Sequence, residues 1–230
     1  MENLIFNKVI SKRGVLLTPI ILIIGFLGLT FELPLDFLWL PISGGLSLYL
    51  MFGKNGLKNL LRKPLNGSWL FILGMIILSF LLSIGTSKFG EIVLNNTSNE
   101  NSIADILLKG QLQDKLYTIS TVWISLIGEE LVIAALTIPI IIYMLKKNSN
   151  LNYNKTFFIT SIITGVIFGL IHLPTYNWNI YQCIIVIGLT RIPFNYAWKR
   201  ADSLWGGIIA HIIFDYILFI PPFLISFLHQ

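Results

Sequence analysis

The chain has 230 residues, 55% of them hydrophobic and only 12% charged, with a formal charge of +5. Soluble domains carry about 25% charged residues, so the composition excludes a water-soluble globular domain and implies one integral membrane domain over residues 1–230. The single cysteine, Cys183, excludes an intrachain disulfide.

Lys8, Lys12 and Arg13 precede an apolar run at 15–31. It is long for the core of a cleaved signal peptide and near the length of a membrane span, so it reads as an uncleaved first helix. Glu32 and Asp36 mark its exit, and Pro34 and Pro41 bend the turn and the start of a second span at 37–52. Lys54, Lys58, Arg62 and Lys63 form a basic loop before a third span at 69–86, with Trp69 as an interfacial anchor. The interval 87–117 is polar and contains the surface loop 95–101, rich in Asn. Within 103–116, Ile103, Ile106, Leu107, Leu108, Leu112 and Leu116 recur at roughly helical spacing, which predicts an amphipathic segment on the membrane surface. Spans follow at 118–145, 156–173, 180–198 and from 203 to about 219, where Pro221-Pro222 interrupts the last; the tail 223–230 is too short to span alone and either extends that helix past a kink or lies at the interface. The fold class is therefore all-α, a polytopic membrane helix bundle of about seven transmembrane helices, or eight if the tail contributes one.

Cytoplasmic loops of membrane proteins are enriched in Lys and Arg. A cytosolic N-terminus places Lys8/Lys12/Arg13, Lys54/Lys58/Arg62/Lys63, Lys146/Lys147/Lys155 and Lys199/Arg200 on one side. The other side receives Lys88, Lys109 and Lys115 with six carboxylates. This distribution accounts for the net charge without nucleic acid as a partner; the partners expected are the lipid bilayer and a peptide or membrane-protein substrate. The Ile/Leu/Lys/Asn bias suggests an AT-rich bacterial genome, hence a bacterial cytoplasmic membrane.

The chemistry sits in the apolar runs. Glu129 and Glu130 are consecutive inside the fourth span, where one ionised carboxylate costs roughly 2.5–3.5 kcal/mol. Adjacent helical residues point about 100° apart, so one can face a cavity while the other reaches sideways to a partner. His172 follows Ser161, Gly165 and Gly169 on one helix face, and Gly207, His211 and Asp215 form an i, i+4, i+8 stripe. Small residues admit a second backbone, so both stripes face protein. Glu129 to Lys146 and Lys155 to His172 are equal separations, about 25 Å of helix, which predicts that the polar groups meet in one layer. Arg191, in the sixth span, has two candidate partners, Asp215 and Glu130.

Glu129-Glu130, Phe168-x-x-x-His172 and His211-x-x-x-Asp215, in order on successive spans, together resemble the motifs of the CPBP (Abi) family of intramembrane endopeptidases. That family includes type II CAAX prenyl endopeptidases and proteins linked to bacteriocin immunity and peptide maturation. Ser203-Leu204-Trp205 also resembles the approach to its last motif. The motif-bearing core is about 118–219. Two positions depart: the family's Glu-Glu-x-x-x-Arg has Ala134 in place of Arg, and the common final Asn is Asp215.

The resemblance implies peptide-bond hydrolysis in the membrane, with Glu129, Glu130, His172, His211 and Asp215 as catalytic residues. Glu129, assisted by His172, would activate water; Glu130 would position His172 or a backbone group; His211 and Asp215 would polarise the carbonyl. A second version places zinc among His172, His211, Glu129 and Asp215. Substrates would come from bacteriocin, leader-peptide or signalling-peptide processing, self-immunity, or CAAX-type proteins. The alternative reading is a non-catalytic immunity or partner-binding protein retaining the fold; a third is a small transporter.

Overall fold

The computed structural model describes residues 10–148 and 150–228; Lys8 and His229 lie outside the described residues. These are all-helical: α1 (Lys12–Thr30), α2 (Asp36–Leu60), α3 (Trp69–Leu94), α4 (Ser102–Lys109), α5 (Leu112–Lys147), α6 (Tyr153–Ile171), a π-helical segment (Tyr181–Ile187) running directly into α7 (Gly188–Ala201), and α8 (Trp205–Ile225). Three starts carry side-chain caps: Ser11 Oγ, Asn101 Oδ1 and Asn152 Oδ1 accept from the amides of Gly14, Ile103 and Lys155. Each satisfies a donor that the first helical turn leaves unpaired.

Five helices, α1, α3, α5, α6 and α8, are long and apolar enough to cross a membrane. The second and sixth expected spans are helical as well but more polar. α2 carries Ser43, Gly44, Gly45 and Ser47, and α7 carries Arg191 and Asn195. Ser43, Gly44, Ser47, Arg191 and Asn195 are all buried, so these helices spend their polar positions on protein.

α5 is the centre of the bundle. Of its apolar window 61% is buried, against 17% for α3. Two glycines bring α2 onto it. A Cβ on Gly44 would lie 2.8 Å from Leu131 Cβ, and one on Gly128 2.3 Å from Pro41 Cδ. Only a hydrogen at these positions permits that approach. The largest core cluster joins α2, α5, α6, α7 and α8 through Leu48, Ile138, Phe157, Trp198 and Ile208. Gly165 and Gly169 of α6 meet the carbonyls of Gly188 and Cys183, where a Cβ would be 2.7 and 2.2 Å away. The stripe below His172 therefore faces the π segment and the start of α7.

Three expectations need correction. The Pro221-Pro222 pair does not interrupt the last helix near 219; of the two fates open to the tail, extension of that helix is the one found, as far as Ile225. A proline forfeits one backbone donor but is compatible with helical φ, and apolar packing carries the helix through. The basic loop is partly helical: α2 continues past a kink at Gly53, where φ is +67°, and carries Lys54 and Lys58. The segment 103–116 is not one surface helix. α4 ends at Lys109, and Leu107 is fully buried with Val122, Leu126 and Phe219.

Candidate active site

The helices bring all five expected residues, and Arg191, to one place. Glu129 and Glu130 project from the middle of α5, and the 100° between them separates their surroundings. Glu129 lines a cavity of about 770 Å³ with His172, Arg191, His211 and Asp215. Glu130 is turned away from it and is 3% exposed. Room for its carboxylate comes from Gly207 on α8, where a Cβ would lie 2.8 Å from Glu130 Oε2.

Glu130 is the anchor of the cluster. Arg191 Nη1 donates to Glu130 Oε1, and Nη2 donates to Oε2 at 3.2 Å. This two-point pairing is the geometry that guanidinium and carboxylate favour. His211 Nδ1 lies 2.9 Å from Glu130 Oε1. A carboxylate held by Arg is an acceptor, so Nδ1 carries the hydrogen. That leaves Nε2 facing the cavity, 3.5 Å from Asp215 Oδ2 and 3.8 Å from Glu129 Oε2. Glu130 thus positions His211, and not His172 or a backbone group as expected from the sequence. Of the two carboxylates offered to Arg191, the structure pairs it with Glu130; Asp215 faces His211 instead.

His172 caps the C-terminus of α6, and its Nδ1 lies 2.8 Å from the carbonyl oxygen of Phe168. A carbonyl only accepts, so Nδ1–H donates and Nε2 remains an acceptor. The Phe168 ring has the Arg191 guanidinium 4.8 Å from its centroid and the His172 ring at 4.5 Å. One aromatic side chain therefore fixes a cation and a histidine at once. Phe194 stacks on His211 at 4.9 Å. Asn195 Oδ1 accepts from Trp198 Nε1 at 3.1 Å and from Arg191 Nη2 at 3.5 Å.

Phe194, Asn195 and Gly207's clearance for Glu130 are absent from the sequence reading. Asn195 carried a signal: a second polar residue one helical turn after Arg191 in an apolar run. Phe194 carried none. The cavity continues to a rim with Glu32, Asp36 and Tyr117, where the Tyr117 hydroxyl donates to Asp36 Oδ1 at 2.8 Å.

The zinc arrangement does not fit this geometry. Among the described residues no three His, Cys, Asp or Glu side chains are gathered as ligands of one ion. Nδ1 of both histidines is held, by the Phe168 carbonyl and by Glu130, which leaves Nε2 of each as the ring nitrogen open to a ligand.

Residues 111–217 match a family model described as type II CAAX prenyl endopeptidase Rce1-like. This segment is an Rce1-like domain of the CPBP family. No curated protein and no solved structure matches the chain significantly. The matched stretch contains the whole polar cluster and runs from the start of α5 to the middle of α8. The Rce1-like family is one of proteases, and with the apolar helices it makes the chain an integral membrane protein. Against the Rce1-like motif pattern, Ala134 leaves no arginine one turn after Glu130. Arg191 reaches the same carboxylate from α7.

Proposed function

We propose that the protein is an intramembrane endopeptidase that hydrolyses a peptide bond with a water activated by Glu129. The observation that carries this reading is the division of labour between adjacent carboxylates. Glu130 is neutralised by Arg191 and fixes His211, whereas Glu129 has no such partner and faces the cavity. A carboxylate held among apolar side chains, near a histidine with a free acceptor nitrogen, suits proton abstraction. Glu129, with His172 Nε2 as a second acceptor, takes a proton from water, and the oxygen attacks the scissile carbonyl carbon. His211 acts as the imidazolium, with Nδ1–H held by Glu130 and Nε2 flanked by Asp215, and its Nε2–H donates to the carbonyl oxygen as it becomes an oxyanion. Collapse breaks the C–N bond, and the proton held at Glu129 passes to the departing amine. No step is assigned to a metal.

The family favours a peptide or membrane-protein substrate, CAAX-type proteins included, that reaches the cavity from the bilayer. The test compares peptides and membrane proteins of cells of the source organism carrying wild type, Glu129→Gln or His172→Ala at matched expression. Specific fragments present in wild type and lost in both variants are expected, and they name the substrate. Unchanged fragments together with an intact immunity phenotype would replace this reading with a non-catalytic, partner-binding one. Proton or ion flux in liposomes that depends on Glu129 would favour a transporter.

A further inference from the structure

We infer that Thr190 is a further catalytic residue of this site: its hydroxyl donates to the substrate carbonyl oxygen alongside His211. The inference rests on the hydrolytic reading above. Thr190 lies in the first turn of α7, is 7% exposed, and lines the cavity. Its hydroxyl has no hydrogen-bond partner. Six other helical threonines differ. Thr18, Thr86, Thr121, Thr137, Thr156 and Thr164 each donate to the carbonyl four residues back, at 2.6–3.0 Å. Such back-bonding is the ordinary fate of a helical threonine. For Thr190 the carbonyl four residues back belongs to Val186, inside the π segment, where the backbone pairs at a longer interval. A buried hydroxyl without a partner costs about 1–3 kcal/mol, so its retention calls for a use. Ser47 and Ser161 also have unpartnered hydroxyls, but neither lines the cavity.

Phe194 follows Thr190 by four residues and so shares its helix face, and its ring stacks on His211. Thr190 is held from behind, since its carbonyl accepts from Ser79 Oγ of α3 at 3.0 Å. Donors around His211 are scarce. Nδ1–H of each histidine is committed, both terminal nitrogens of Arg191 bond Glu130, and the ionised carboxylates of Glu129 and Asp215 only accept, which leaves Arg191 Nε, fixed in its guanidinium plane, and the Thr190 hydroxyl as donors without a partner. Oxyanion sites generally use more than one donor. A hydroxyl whose hydrogen rotates freely supplies the second. In the reaction no bond to Thr190 forms or breaks. Its O–H···O hydrogen bond strengthens as the carbonyl π pair moves onto oxygen, and it relaxes when the C–N bond breaks.

The test uses the full-length chain in its own cells with Thr190→Val, Thr190→Ser and Glu129→Gln at matched expression. The fragments that vanish in Glu129→Gln are quantified in the others, and each purified protein is melted in detergent. Thr190→Val removes the hydroxyl at constant shape and breaks no bond of the fold. It is therefore expected to melt no earlier than wild type while fragment yield falls about 100-fold, the usual loss for one oxyanion donor. Thr190→Ser is expected to restore yield to about a third of wild type or better. Wild-type yield in Thr190→Val, or equal loss in Val and Ser variants that both melt early, overturns the assignment and leaves the protease reading standing. Fragments unchanged in Glu129→Gln overturn both.

Discussion

Glu130 is a carboxylate buried in the middle of a membrane-spanning helix, tolerated there because Arg191 and His211 both bond it. Removing one partner of a buried ion pair leaves the other charge without compensation, at about 3–5 kcal/mol. Arg191→Met and Glu130→Gln should each lower the melting temperature in detergent. The double variant should lose less than the two losses added, and a thermodynamic cycle should give a coupling above about 1 kcal/mol. Additive losses would mean that the two residues act independently. A second prediction concerns Gly207. Its added Cβ would meet Glu130 Oε2 at 2.8 Å and the Phe194 carbonyl at 2.9 Å, so Gly207→Ala must displace a buried carboxylate or the α7 backbone. Overpacking of this kind costs roughly 1–3 kcal/mol, and loss of Glu129-dependent cleavage is expected even in the fraction that folds. At this scale the sequence was informative about residue types and weak about partners. Ionisable groups in apolar runs stand out from composition alone. Arg191, however, had two carboxylates within plausible reach, and only the packing of α8 against both α5 and α7 decides between them.

The elements were legible where their signal is local. Every apolar run that reads as a span is helical, because a chain in lipid has to satisfy its backbone within the segment. What local signal missed is what happens between elements. The Asn-rich stretch 95–101 reads correctly as a loop, yet it is fastened to the π segment and to the turn before it. Asn99 N–H donates to Gln182 Oε1 at 2.8 Å, and Gln182 Nε2 donates back to the Asn99 carbonyl at 2.9 Å. Asn99 Nδ2 also donates to the Tyr176 carbonyl, and Asn101 Nδ2 to the Tyr176 hydroxyl, both at 2.8 Å. Ser98, Asn101 and Tyr176 line the cavity, so this loop forms part of its wall. Gln182→Ala removes the reciprocal pair, and at about 1 kcal/mol for each bond the loop should open some 10- to 30-fold more often. Hydrogen exchange at Asn99 and limited proteolysis between 95 and 101 measure this directly. Unchanged protection would show that the Tyr176 and Asn179 contacts hold the loop without Gln182.

For the whole molecule, the inter-loop bonds sort the connections into two ends. At one end, Arg62 pairs with Asp202, and Lys199 Nζ donates to Asn154 Oδ1 at 2.7 Å. At the other, Asn179 Nδ2 donates to Asn96 Oδ1 at 2.9 Å, and Tyr117 donates to Asp36. The seven spans expected from the sequence would alternate in this way, and Arg62 and Lys199 of the basic clusters fall at the first end. If excess Lys and Arg face the cytosol, then Lys146 and Lys147 are cytosolic and Glu100 is not. Single cysteines make the check, since the native Cys183 is buried and contributes little background. An impermeant maleimide on intact cells should label Glu100→Cys and leave Asn148→Cys unlabelled until the membrane is opened. The reverse pattern would invert the protein in the bilayer. The outcome bears on function as well as topology. Glu32, Asp36 and Tyr117 at the cavity rim belong to the same end as Glu100, so the labelled side is the side from which a polar stretch of substrate would enter. With a cytosolic N-terminus the cavity opens away from the cytosol. That favours substrates whose scissile bond has already been carried into or across the membrane over those presented from the cytosolic face.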